Sequence, residues 1–198
     1  AKEPTATVNN FYPFLNQSQD HLRVDVIIQI RNGLKTLQPL FIRCGKDTCC
    51  DYMFLYWVQG EKAVECVAVL CDAKNTAQEA GGSDSVTCPD QTQLFEAVMK
   101  VHTAFINANL PSITQVLPSF VTNRSKFASG NETSEASQAL ATARSAAHKL
   151  FPSLQLEMLN KDTFDFGPFT DALFARKSSK LKIKTGTKLS RPQEDVAM

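Results

Sequence analysis

The chain has 198 residues, a formal net charge of +1 and an apolar content of 43%. This length accommodates one domain with tails, and the apolar fraction is sufficient for a hydrophobic core. The near-neutral charge argues against a protein that binds nucleic acid over its whole surface. No segment approaches the roughly 18 consecutive apolar residues of a membrane span, so none is predicted.

The first predicted elements are an irregular N-terminal arm at residues 1–20 and a strand at residues 21–31. The arm is polar apart from a short aromatic cluster. In the strand, apolar and polar side chains alternate, which is typical of a strand with one solvated face. The apolar positions are Leu22, Val24, Val26, Ile28 and Ile30. Asn32 and Gly33 then predict a turn.

Three further strands are predicted at about 39–44, 49–59 and 62–71. The middle one is apolar on both faces, which indicates a central strand whose two faces are both covered. Gly60 followed by Glu61 predicts a two-residue hairpin turn with glycine in the first position. If the chain folds back at this turn, residues whose numbers sum to 121 lie opposite each other in the two strands.

Two helices are predicted in the second half of the chain, after a flexible loop at 73–91 that is rich in small and polar residues. One helix covers about 90–108, with Asp90 as its cap, and the other covers about 133–150. Between them, Pro111 and Pro118 are expected to divide the chain into short pieces.

The predicted fold is therefore α+β: an antiparallel meander of about four strands (residues 21–71) followed by helices that pack on the sheet. Residues 21–175 form the single domain of this prediction. The tail, residues 176–198, is basic. It contains candidate contacts for phosphate or an acidic partner at Lys177, Lys180, Lys182, Lys184, Lys188 and Arg191.

The cysteine positions predict how the strands align, but they do not indicate a chemical reaction. The predicted turns place Cys50 beside Cys71 and Cys44 beside Cys49, and each pair is close enough for a disulfide. Reduced thiols packed as small apolar side chains are the alternative. A zinc site is disfavoured because Cys66 and Cys71 are separated by an odd number of strand residues and point to opposite faces.

No catalytic, cofactor-binding or metal-binding residue is predicted. The three histidines, His21, His102 and His148, lack a neighbouring catalytic signature, and neither a phosphate-binding loop nor a metalloprotease motif occurs. We therefore expect no cofactor, and we favour a protein that is not an enzyme.

The functional expectation is a structural or interaction subunit of a larger assembly, viral or organellar, in which the terminal arms contact other subunits. Homo- or hetero-oligomeric protein partners are expected, with weak nucleic-acid contact through the basic tail. The alternative is a secreted, disulfide-stapled domain that binds a ligand or receptor. Three glycosylation sequons occur, at Asn16, Asn123 and Asn131, but an intracellular or virion location is favoured over secretion.

Overall fold

The computed structural model describes residues 7–9, 21–45, 48–61, 63–74, 84–129, 134–160 and 162–163. Within these residues there are three helices, α1 (Val24–Thr36), α2 (Cys88–Asn107) and α3 (Glu135–Leu150). The strands are β1 (Thr7–Asn9), β2 (Leu40–Arg43), β3 (Tyr52–Gln59), β4 (Val64–Lys74), β5 (Ser85–Val86), β6 (Ile113–Thr122), β7 (Lys126–Phe127) and β8 (Glu157–Leu159).

Six strands form one mixed sheet in the order β1-β2-β3-β4-β6-β8, while β5 and β7 pair separately. Only β3 runs antiparallel to its neighbours in the large sheet; the other pairs are parallel. The α+β class is confirmed, but the predicted antiparallel meander is wrong. The connections that contain α2 and α3 carry the chain back across the sheet, so β4, β6 and β8 run in one direction.

The predicted strand at 21–31 is helix α1. Its buried positions are Val26, Ile30 and Gly33, which are spaced as on one face of a helix. Val24 and Ile28, also part of the alternating pattern, are exposed. Gly33 ends no strand; it lies inside the helix, where a Cβ would be 2.9 Å from the Leu40 side chain. The glycine therefore allows α1 to approach β2.

The two predicted helices of the second half are confirmed as α2 and α3, with one change at a helix start. Thr87 rather than Asp90 caps α2, because the Thr87 hydroxyl accepts a hydrogen bond from the Asp90 backbone N–H. The predicted loop at 73–91 is shorter than expected: its ends belong to β4 and α2, β5 lies within it, and residues 75–83 are outside the described residues.

Strand β6 replaces the short pieces expected around Pro118. It pairs with β4 on one side and with β8 on the other, although proline donates no backbone hydrogen bond. The Pro118 side chain is buried. The N-terminal segment also differs from the irregular arm of the prediction, because residues 7–9 form β1 at the edge of the sheet.

The main core lies between the helices and one face of the sheet. From β2 to β4 this face carries fully buried side chains that share one cluster with α1 and α2: Leu40, Ile42, Met53, Leu55, Ala68 and Leu70. The opposite face is less covered, since Phe41 and Phe54 are half-buried and Tyr56 is 41% exposed. Helix α2 packs against β4 and β6, and α3 packs on α2.

Candidate functional site

The candidate site lies where several parallel strands end. Strands β2 and β4 run in the same direction. Their last residues, Arg43 and Lys74, therefore lie at the same end of the strands as the start of antiparallel β3. An open groove of about 520 Å³ lies at this edge, and Arg43, Asp51, Asp72 and Lys74 are among its lining residues. Clefts at the carboxyl ends of parallel strands are the usual ligand sites of such sheets.

Asp51 is held at the edge by hydrogen bonds to both neighbouring strands. Its carbonyl accepts from Cys44 N at 2.8 Å, and its own N–H donates to Cys71 O at 3.0 Å. The side chain is positioned as well, because Asp51 Oδ2 accepts from Ala73 N at 2.9 Å. The carboxylate is therefore anchored to the end of β4, next to Asp72.

Asp72 is the most deeply buried carboxylate of the groove, with 8% of its side chain exposed. Burial raises the pKa of Asp72 to about 6; the nearby Lys74 opposes this shift, and the neighbouring Asp51 adds to it. Two adjacent carboxyl groups resist simultaneous ionisation unless a cation compensates them. The pair is thus a favourable place for an added positive charge.

Lys74 supplies the cation nearest to this pair. Its Nζ is 3.1 Å from Asp72 Oδ2 and 3.3 Å from Asp90 Oδ1. Burial would lower the pKa of Lys74, but the two carboxylates outweigh it and raise the pKa above the usual value. The ammonium is therefore retained between the end of β4 and the first turn of α2.

Three buried thiols, of which that of Cys50 lines the groove, are poor nucleophiles. A hydrogen bond to Cys44 and burial raise the pKa of the Cys50 thiol well above its usual value, and burial raises that of Cys71 to about 11. Burial also raises the pKa of Cys66 to about 12. Because the thiolate is the reactive form, these three cysteines are suited to packing rather than to covalent catalysis.

Cys49 differs from its neighbours. It is half-buried, it has a left-handed backbone conformation with φ 61°, and it lines the groove. Lys100 on α2 places its Nζ 3.2 Å from the Cys49 Sγ. The contact connects the loop before β3 to the helix on the other side of the groove.

The donor set of the groove fits a hard divalent cation. No group of three or more His, Cys, Asp or Glu side chains arranged to hold a metal occurs in the described ranges. Magnesium does not require such a cage, because it is commonly held by one or two carboxylates together with water and substrate phosphates. Asp51 and Asp72 supply those two carboxylates, whereas the buried thiols do not assemble into a zinc site.

The predicted register of the cysteines is wrong by two residues. Tyr52, not Cys50, pairs with Cys71, so paired residue numbers in the hairpin sum to 123. The turn is closed by Gly60 N donating to Ala63 O, one position later than expected. Cys44 lies opposite Asp51 rather than Cys49. All six cysteines are free in the structure, and their redox state in solution stays a prediction.

The remaining candidates do not enter the groove, or they cannot be placed. His102 packs edge-on against Phe151, with ring centroids 5.3 Å apart, at the contact between α2 and α3. His148 is on α3, and His21 is exposed ahead of α1. The basic residues Lys177, Lys180, Lys182, Lys184, Lys188 and Arg191 lie outside the described residues.

The site residues Asp51, Asp72 and Lys74 were not identified from the sequence, because their proximity to one another depends on the strand register. Asp72 and Lys74 are two residues apart in a strand and so share one face, which the sequence shows. The position of Asp51 is less evident: a sum of 121 places it opposite Leu70, whereas in the observed register its N–H donates to Cys71 O and its carboxylate accepts from Ala73 N, on either side of Asp72. The spacing of Asp72 and Lys74 at the end of the predicted strand was the feature of the sequence that could have indicated the site.

Comparison with known proteins identifies no relative: no protein-family model, curated protein or solved structure matches the chain. Within the residues that can be described, no helix has the length and apolar character needed to cross a bilayer.

Proposed function

We propose that this protein is a divalent-metal-dependent phosphodiesterase that cleaves nucleic acid. The observation that carries this proposal is the convergence of Asp51, Asp72 and Lys74 on one open groove at the carboxyl ends of the strands. Two carboxylates that can share a cation, with an ammonium beside them, match the needs of phosphoryl transfer, in which negative charge on the phosphate must be neutralised.

The carboxylates of Asp51 and Asp72 would hold the metal. Hard oxygen donors of this kind favour magnesium or manganese over softer ions. Held by these two residues, such an ion would supply Lewis-acid polarisation of a phosphate oxygen and activation of water. Asp51 is preorganised for this role, because the backbone of Cys44, just after β2, and the backbone of β4 both restrain it.

Lys74 provides a hydrogen-bond donor next to the carboxylates. Its ammonium is within 3.1 Å of Asp72, so it can donate to a phosphate oxygen of a substrate bound at the pair. Arg43 also lines the groove and its side chain is exposed. Lys100 on α2 lies on the same side of the molecule through its contact with Cys49. Positive side chains around an open groove favour a long phosphate-bearing substrate.

A thiol-dependent reaction is less well supported by the same groove. Cys50 and Cys71 have raised pKa values, so little thiolate forms near neutral pH. Cys49 has Lys100 beside it, but an ammonium cannot serve as the general base that a thiol nucleophile requires.

The assembly-subunit function expected from the sequence stays a prediction. Its terminal arms lie largely outside the described residues. The less covered face of the sheet, with Tyr56 41% exposed and Val58 47% exposed, is the feature that favours it. Sedimentation of the purified chain over a range of concentrations would test it, and a monomer at every concentration would contradict it.

The direct test of the enzymatic proposal uses the full chain and labelled oligonucleotides. Single- and double-stranded DNA and RNA are incubated with the protein in Mg²⁺, in Mn²⁺ and in chelator. We expect metal-dependent cleavage that Asp72→Asn and Lys74→Met reduce by about 100-fold or more. Glu96→Gln on α2 is the matched control, since it neutralises an acid that does not line the groove.

Metal binding is measured separately from cleavage. Mn²⁺ titration followed by electron paramagnetic resonance is expected to show a site in the wild-type chain that Asp51→Asn and Asp72→Asn both weaken. The proposal is wrong if the wild type binds no Mn²⁺, or if Asp72→Asn cleaves nucleic acid as fast as Glu96→Gln does.

A further inference from the structure

Asp90 is the second carboxylate in contact with Lys74, and it comes from a different element. It lies in the first turn of α2, and its Oδ1 is 3.3 Å from Lys74 Nζ. Lys74 thus joins the end of β4 to the start of α2. Asp90 contributes no lining to the groove that contains Asp51 and Asp72, which separates its position from that of the proposed metal ligands.

The orientation of Asp90 is set by Thr87. The Thr87 hydroxyl donates to Asp90 Oδ2 at 2.7 Å, and the same hydroxyl accepts from Asp90 N at 3.3 Å. One carboxylate oxygen is therefore engaged with the helix cap, and the other is left for Lys74. The positive end of the helix dipole also favours a negative charge in the first turn, where Asp90 lies.

We propose that Asp90 is the positioning residue that holds the Lys74 ammonium in place when Asp72 binds the catalytic cation. This inference rests on the proposed function. When Asp72 binds a divalent cation, its electrostatic attraction for the Lys74 ammonium becomes weaker. The cation would also repel the ammonium, because both are positive and both are close to the same carboxylate. Asp90 balances that charge and keeps Lys74 near the phosphate.

Asp72 and Asp90 contact the same lysine, but removing one carboxylate is expected to have a different effect from removing the other. Loss of Asp72 removes a metal ligand, so metal affinity and catalysis fall together. Loss of Asp90 leaves the metal ligands in place but releases the ammonium, so the chemical step slows while the metal still binds. Small misplacements of a catalytic group can cost as much as 100-fold in rate.

A double-mutant cycle tests whether Asp90 acts through Lys74. Asp90→Asn is expected to lower kcat by about 10- to 100-fold, with KM and the Kd for Mn²⁺ changed by less than about twofold. In the Lys74→Met background, Asp90→Asn is expected to have no further effect on kcat, because the group that it positions is already missing. Asp90→Glu is expected to restore part of the rate, and Glu96→Gln serves as the neutral control.

A second measurement reads the ammonium directly. In the Mg²⁺-saturated wild type, the Lys74 side-chain ammonium is expected to give a ¹H–¹⁵N signal that is protected from rapid exchange, and this signal is expected to disappear in Asp90→Asn. Circular dichroism melting of each variant shows whether it is folded.

Three outcomes would overturn the role of Asp90. The first is a double mutant whose kcat falls by the product of the two single-mutant effects. The second is an Mn²⁺ affinity that falls as far in Asp90→Asn as in Asp51→Asn. The third is a Lys74 signal unchanged by Asp90→Asn. A wild-type chain that binds metal but cleaves no nucleic acid instead defeats the proposed function, and the ammonium signal still decides whether Asp90 holds Lys74.

Discussion

Asp51 and Asp72 lie next to each other where β3 begins and β4 ends, and Asp51 Oδ2 accepts a hydrogen bond from the residue that follows Asp72. Like charges at a partly desolvated site repel each other, and the Lys74 ammonium, 3.1 Å from Asp72 Oδ2, offsets part of this repulsion. The contact therefore favours binding of a cation at a cost in stability, as is common at functional sites.

Replacing Asp72 should stabilise the protein at alkaline pH. The pKa of Asp72 rises from 3.8 to about 6 on folding. The folded state thus binds more protons than the unfolded state between pH 4 and 6, and the ionised carboxylate lowers stability above pH 6. Asp72→Asn should raise the free energy of unfolding on the order of 2 kcal/mol at pH 8. This gain should vanish near pH 4.

Urea unfolding in chelator at both pH values measures that gain. Asp25→Asn is the control, since Asp25 forms an exposed ion pair with Arg23 at the start of α1 and the substitution should change stability by less than about 1 kcal/mol. Equal effects of Asp72→Asn at pH 4 and pH 8 would contradict the prediction.

Cys49 should be the first thiol to react in the native protein. It is half-buried and lines the groove, whereas the other five cysteines are buried. Native alkylation followed by peptide mass spectrometry should show labelling of Cys49 at least about 10-fold faster than of any other cysteine. Cys49→Ser should remove the fast phase, and a fast phase that persists would show that another thiol reacts first.

Six free thiols are expected once the unreduced protein is denatured, because none of the cysteines is bonded in the structure. Quantitative alkylation in guanidinium without reductant provides the count. A count of four or fewer would instead support the secreted, disulfide-stapled alternative.

Gly33→Ala should destabilise the protein although the residue lies in a helix. An added Cβ would be 2.9 Å from the Leu40 side chain, so α1 or Leu40 must shift. We expect a loss of about 1–3 kcal/mol, opposite in sign to the gain of up to about 1 kcal/mol for glycine to alanine in an exposed helix. Asn32→Ala, at the neighbouring exposed position, is the control. A stabilised Gly33→Ala protein in urea unfolding would contradict the contact.

Acidification should weaken the contact between α2 and α3. Burial lowers the pKa of His102, so the unfolded state binds a proton more readily than the folded state. Stability should therefore fall as the pH drops through the normal histidine range. Thermal melting between pH 7.5 and 5 should show a shallower decline in His102→Gln, while the exposed His21→Gln should melt like the wild type. Equal slopes for the two variants would contradict this role.

The sequence by itself determined the helices that local signals define. For α2 and α3, periodic apolar residues, polar caps and following prolines agree with one another, so propensity and packing favour the same structure. The central position of β3 also followed from its residues, because a strand that is apolar on both faces requires cover on both. The less buried face of that strand shows that this requirement is met unequally.

Only the tertiary structure decided α1, β6 and the site. The apolar residues from Leu22 to Ile30 fit a strand or a helix, and burial of Val26 and Ile30 against the core selects the helix. The hairpin register was free to shift by two residues, because such a shift keeps every side chain on its face. That shift is what brings Asp51 to Asp72, so the groove depends on a long-range alignment that no local preference specifies.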